Sequence, residues 1–93
     1  MATTLEAAAA LLQMSPEELA EAGLKAYLRA RLRELKAEIR ALYVRYGVSS
    51  LEELDEKISR GEYSESDTFD DFTWLDYLEG KEEKLRTFLE QLA

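Results

Sequence analysis

Leu28, Leu32, Leu35, Ile39, Leu42 and Tyr46 follow one another at spacings of 4, 3, 4, 3 and 4 residues. That alternation is a heptad seam, the apolar stripe of a helix that packs along another helix. Start and stop signals bound it. In "SPEE", Ser15 stands at N-cap, Pro16 at the first helical position and Glu18 at the third, which is a capping box with the favoured proline. Gly47 supplies a left-handed stop. Residues 15–47 are therefore expected to form one long helix of about 45 Å.

Shorter patterns flank it. "TTLEAAAALLQM" predicts a short helix over 1–14, with Thr3 and Glu6 at capping-box spacing and Leu5, Leu11 and Leu12 able to face a partner. An Ala-rich segment of this length is marginal alone, so it must dock or fray. "VSSLEELDEKISRG" predicts a helix over 49–60, capped by Ser49 with Glu52 or Ser50 with Glu53. Leu51, Leu54 and Ile58 give it one apolar stripe, and Gly61 ends it. "EYSESD" has no periodicity and reads as a loop. A last helix is expected over 67–92, starting at Asp67 or Thr68. Leu78, Leu85 and Leu92 recur every seven residues; Trp74 and Phe88, like Leu75 and Leu89, are two heptads apart. Gly80, within the polar "EGKEEK", could split this helix.

The expected fold is all-α, a single domain over 1–93. The long coiled-coil-like helix is followed by a short helix and a C-terminal helix packing back as a helical hairpin. The seam from Leu28 to Tyr46 is assigned to a homodimer as well. Scarce β-branched residues argue against strands.

Composition narrows the chemistry. The chain has 93 residues, no Cys and no His. Thiolate chemistry and disulfides are excluded, and the commonest general base and transition-metal ligand are missing. No apolar run reaches membrane-span length, and the N-terminus lacks the basic region of a signal peptide, so a cytoplasmic protein is expected. Absent Asn and abundant charge fit a thermophile source.

The net charge of −8 is unevenly spread: residues 1–24 carry −4, residues 25–46 carry +5 and residues 47–93 carry −9. The basic residues Lys25, Arg29, Arg31, Arg33, Lys36, Arg40 and Arg45 could contact phosphates. They could equally flank the seam and pair with acids of the same protein. The negative total favours pairing over nucleic acid. Asp67, Asp70 and Asp71 suit the N-terminus of a helix, which accounts for them without a metal. No cofactor, metal site or catalytic residue is assigned, and the protein is not expected to be an enzyme.

The stretch "EYSESDTFDDFTWLDYLEG" holds seven carboxylates and five of the nine aromatics, without one base. A helix face of Trp74, Leu78, Leu85 and Phe88 would take some rings into the core. Around one helix, however, Tyr63, Phe69, Phe72, Trp74 and Tyr77 cannot all face inward. Exposed aromatics rimmed by charge mark an interface. Tyr63, Phe69, Asp70, Asp71, Phe72, Trp74 and Tyr77 are the candidate partner-binding residues, with Tyr63, Phe69 and Tyr77 the least explained by self-packing.

Residues 15–80, through the long "L-x-x-x-L-x-x-L" helix, the "YGVSSLEEL" turn and the acidic-aromatic tail, resemble small all-helical antitoxin-like proteins of type II toxin–antitoxin pairs from archaea and thermophilic bacteria. Their tail often carries a His-Pro step where this chain has "SESDTFDDF". The resemblance implies a homodimer that neutralises a basic toxin acting on RNA or nucleotides. The acids would replace phosphates and the rings would fill base or apolar pockets. The alternative expectation is a structural coiled-coil homodimer or scaffold with no inhibitory role.

Overall fold

The computed structural model describes residues 3–92. Their regular elements are four helices: α1 Thr4–Leu11, α2 Pro16–Tyr46, α3 Leu51–Ser59 and α4 Glu65–Leu92. The capping signals act as read. Thr3 Oγ1 accepts from the Glu6 amide at 3.1 Å. Ser15 Oγ accepts from the Glu18 amide at 3.1 Å while Glu18 accepts from the Ser15 amide at 3.4 Å. For α3 the cap is Ser50, whose Oγ accepts from the Glu53 amide at 3.0 Å; the Glu53 carboxylate turns back to the Ser49 amide and hydroxyl at 2.9 and 2.8 Å.

The helix ends share one device. Gly47 and Gly61 sit at φ +63° and +80°. In each case the next residue's amide reaches back to close the last turn, Val48 to Tyr43 O at 3.0 Å and Glu62 to Lys57 O at 2.9 Å. The end of α1 copies this closure with Gln13, at φ 58°, in the glycine's place. Met14 N there donates to Ala9 O at 2.9 Å.

α4 folds back antiparallel on α2, as the hairpin expectation required. Arg45 and Tyr46 meet Asp71, Glu38 meets Trp74, and Leu28 lines a groove with Phe88. The molecule is a rod of 64 × 22 × 17 Å. Its radius of gyration is 19.6 Å, against about 12 Å for a compact chain of this size. α3 packs on α4 at one end, and α1 packs on α2 through the buried Ala9 at the other. Leu11 and Leu12 stay exposed there.

The core lies at the α3 end. Tyr46, Val48, Leu54 and Leu75 are buried together, with Ile39, Leu42, Tyr43, Leu51, Ile58, Tyr63 and Phe72 packed around them. Leu35 and Leu78 extend the buried strip along the hairpin. Leu35 and Tyr46 of the heptad seam are thus buried within one chain, and Ile39 and Leu42 pack half-buried against the core, whereas Leu28 and Leu32 are half-buried outside that cluster.

Three expectations need correction. α4 starts at Glu65, inside the stretch read as a loop. Ser64 caps it: its carbonyl accepts from the Thr68 amide at 3.1 Å and its hydroxyl from the Asp67 amide at 3.5 Å. Gly80 does not divide the helix. Trp74 and Phe88 are not core but 46% and 48% exposed. The covered stripe of α4 is instead Thr68, Asp71, Leu75, Leu78, Glu82, Leu85, Leu89 and Leu92, again at alternating spacings of 3 and 4, with Thr68, Leu75 and Leu78 buried and the rest half-buried.

Candidate binding surfaces on α4

The seven candidate residues do not form one surface. Successive residues of a helix are turned by about 100°, and α4, with Tyr63 just ahead of it, distributes them to three places.

The first place is the half-buried junction at the end of α2. The Tyr46 hydroxyl donates to Asp71 Oδ2, and Arg45 Nη1 donates to the same oxygen at 3.0 Å. Burial, and then the bond to Asp71, push the Tyr46 phenol above its ordinary value. Tyr63 sets its ring edge-on to Tyr46, with centroids 5.2 Å apart. Its hydroxyl donates to Tyr46 O at 3.0 Å, and Lys57 Nζ donates to Tyr46 O and Gly47 O at 3.4 and 3.2 Å. Tyr63 and Lys57 thereby satisfy the last carbonyls of α2, which no helical amide can reach. Tyr63 and Asp71 tie the end of α2 to the start of α4.

The second place is the cleft between α3 and α4. Asp55, Ile58, Glu65, Thr68, Phe69 and Phe72 line a groove of about 180 Å³. Ile58 and Phe72 pack down on the core, while Phe69 stands 62% exposed at the rim. Thr68 closes the floor, its hydroxyl turned into the helix to donate to Ser64 O at 2.8 Å. The groove is thus apolar at the bottom, with a carboxylate from each wall, Asp55 and Glu65.

The third place is the opposite flank of α4. Trp74 and Tyr77 stack there with centroids 5.3 Å apart. The Trp74 indole donates to Glu38 Oε1 at 3.3 Å. Asp70 lies on the same side, one turn before Trp74, and is exposed.

The basic helix is less paired with the rest of the chain than expected. Lys25 and Arg31 bind Glu21 and Glu34 of α2 itself, at 3.1 and 3.0 Å; Arg45 crosses to Asp71. Lys36 and Arg40 line a shallow groove with Glu79, Glu82, Glu83 and Arg86. Burial, and then the adjacent Glu82, push the Glu79 carboxyl above the usual carboxylate range. The charged form is therefore less favourable in the fold than in the unfolded chain. Glu79 contributes most when protonated, and that contribution is lost as pH rises through its folded value. Glu79→Gln is expected to raise the thermal midpoint at neutral pH, with the gain vanishing in acid. Melts of both proteins on either side of the carboxylate range read this. The Glu53 cap runs the other way. Bonds from the Ser49 amide and hydroxyl hold its carboxyl below the ordinary value, so its help is lost as pH falls.

Among the described residues, no group of three acidic side chains converges as a metal site would. Among the same residues, no helix is long and apolar enough to cross a membrane.

The groove between α3 and α4 was partly visible in the sequence, since Phe69 and Phe72 were candidates. Asp55, Ile58 and Glu65 were not, because they come from another helix or from the misread loop. The stripe of Leu51, Leu54 and Ile58 was the one available hint, as it had to meet something. Comparison with curated proteins and with solved structures gives no match. The sequence pattern of one family matches the whole of residues 1–93. The chain, with its helical hairpin and acid-lined aromatic groove, belongs to the uncharacterized protein MJ0235 family.

Proposed function

We propose that this protein is a non-catalytic binding module whose groove between α3 and α4 seats a basic, amphipathic segment of another protein. The observation that carries the reading is the groove itself. Ile58 and Phe72 offer an apolar bottom, Phe69 an exposed ring at the rim, and Asp55 and Glu65 the flanking carboxylates. An apolar side chain with Lys or Arg on either side of it complements such a groove. The surroundings reinforce the sign of the charge, because residues 62–79 carry seven acids and no base. Complementary charge speeds encounter and rejects wrong partners, while the buried ring supplies the affinity.

The resemblance to antitoxin-like proteins gives this partner a character: a small toxin with a cationic surface built to hold phosphates. The acids of α3 and α4 would then occupy the place of those phosphates. Co-expression with the product of the adjacent gene tests this. The two proteins should elute together, and the pair should grow normally where the neighbour alone is toxic. Separate elution, with a neighbour that is harmless by itself, rules the antitoxin reading out.

A further inference from the structure

The flank of α4 that carries Trp74 and Tyr77 also carries its own complement. Asp70, Trp74, Tyr77, Lys81, Lys84, Phe88 and Gln91 follow at alternating spacings of 4 and 3, and all seven are exposed. This is a second heptad stripe on a helix whose first stripe is already buried against α2. At its C-terminal half, Lys81, Lys84, Leu85 and Phe88 surround a groove of about 320 Å³. They stand at i, i+3, i+4 and i+7, the four corners of the hole that a knob from a facing helix enters. The floor of the hole is Leu28 and Leu35 of α2. Arg31, on its edge, is held by Glu34 at 3.0 Å. Lys81 and Lys84 make no ion pair among the described residues.

We infer that the occupant of this hole is Trp74 of a second copy, the two α4 helices lying antiparallel about a two-fold axis beside Gly80. In that register Trp74 of each copy faces Lys84 of the other, and Tyr77 faces Lys81. The stretch from Ser66 to Leu92 then lies against its own reverse, so α4 is matched along nearly all of Glu65–Leu92. The charges agree as well. On the facing stripe Asp70 is the one charge of the N-terminal half and Lys81 and Lys84 are those of the C-terminal half, while Glu82, Glu83, Arg86 and Glu90 fall on other faces of the helix. A parallel arrangement would instead oppose Lys81 to Lys81 and Lys84 to Lys84. Each Trp74 and Tyr77 ring gains a Lys ammonium over its face, a cation–π contact. The ring of Trp74 enters a pocket with a leucine floor, the environment of an interface anchor. Two hairpins joined in this way make a four-helix bundle from α2 and α4 of each copy.

The interface differs from the one assigned to the α2 seam, whose Leu35 and Tyr46 are already buried within one chain. It also lies on the opposite flank of α4 from the groove holding Phe69, so the two surfaces can be tested apart.

Sedimentation equilibrium of the full chain, with Trp74 emission followed on dilution, tests the pairing. The wild type should be a dimer whose Trp74 emission shifts to the red as it dissociates. Trp74→Ala and Lys84→Glu should each weaken the dimer by about 30-fold or more. Both replaced side chains are exposed, so helical circular dichroism should be unchanged. Phe69→Lys should leave the dimer intact. Three results would overturn the pairing: a wild type monomeric at about 100 μM; a dimer that survives both Trp74→Ala and Lys84→Glu; or a dimer lost instead on replacing Leu11 and Leu12 by Ser.

Discussion

Leu35→Asp should unfold the protein. Leu35 is 1% exposed, midway along the contact between α2 and α4, where it lies beside Leu85 under the groove edged by Lys81. Leu28 and Leu85 line the same groove, and the bases Arg31, Lys81 and Lys84 line it too. A carboxylate placed there must give up its hydration to ionise among leucines or take up a proton, and both are costly. The expected loss is about 4 kcal/mol or more, set against roughly 5–15 kcal/mol for a whole domain. Leu35→Ala keeps the test quantitative if the first variant does not fold. It should cost about 2–5 kcal/mol, read by urea titration. Ile39→Asp, half-buried on the same stripe, should also destabilise, but less. A loss under about 1 kcal/mol from Leu35→Asp would mean that this stripe does not carry the hairpin.

Tyr46→Ala is the second large effect. Tyr46 is the last residue of α2, and three elements converge on it. Its ring lies in the core with Val48, Leu54 and Leu75. Its hydroxyl donates to Asp71 of α4, and its carbonyl accepts from Tyr63 and Lys57. Truncating the ring opens a cavity in the cluster where α2, α3 and α4 meet, at a cost of about 3–5 kcal/mol. Tyr46→Phe separates the two contributions. It keeps the ring and removes one hydrogen bond, so it should cost about 1 kcal/mol. If the two variants lose stability equally, the ring packing is not what holds the turn.

The long helix was legible because its signals agree. Ser15, Pro16, Glu18 and Gly47 mark its ends, and the seam from Leu28 to Tyr46 marks its buried face. Local chemistry and global packing point the same way there. The C-terminal helix was harder because its buried stripe is partly polar. Thr68, Asp71 and Glu82 occupy core-facing positions, and each is satisfied in a way that spacing does not reveal. Thr68 bonds its own helix, Asp71 takes Tyr46 and Arg45, and Glu82 lies 3.9 Å from Arg86. The large rings at Trp74 and Phe88 drew the expected core onto the neighbouring stripe. Hydrophobicity alone favoured them over Leu75, which is in fact buried.

The same ambiguity explains the acidic-aromatic segment. Its rings and acids were visible as a group, but their division was not. Tyr63 and Asp71 go to the turn, Phe69 and Phe72 to the α3 groove, and Trp74 and Tyr77 to the far flank. That division depends on where α3 docks and on α4 beginning at Glu65 rather than two residues later. Neither follows from periodicity, since α3 presents a similar stripe whichever helix it meets.

The binding role is tested most directly by calorimetric titration of the purified adjacent gene product into wild type, Phe69→Lys and Trp74→Ala. Wild type should bind, more weakly as salt rises. Phe69→Lys, which puts a base among Asp55 and Glu65, should weaken binding by about 30-fold or more. Trp74→Ala, on the other flank, should bind the partner with unchanged affinity per chain. Absence of binding by the wild type, or a loss with Trp74→Ala that Phe69→Lys does not share, would contradict the assignment of the α3–α4 groove as the partner site.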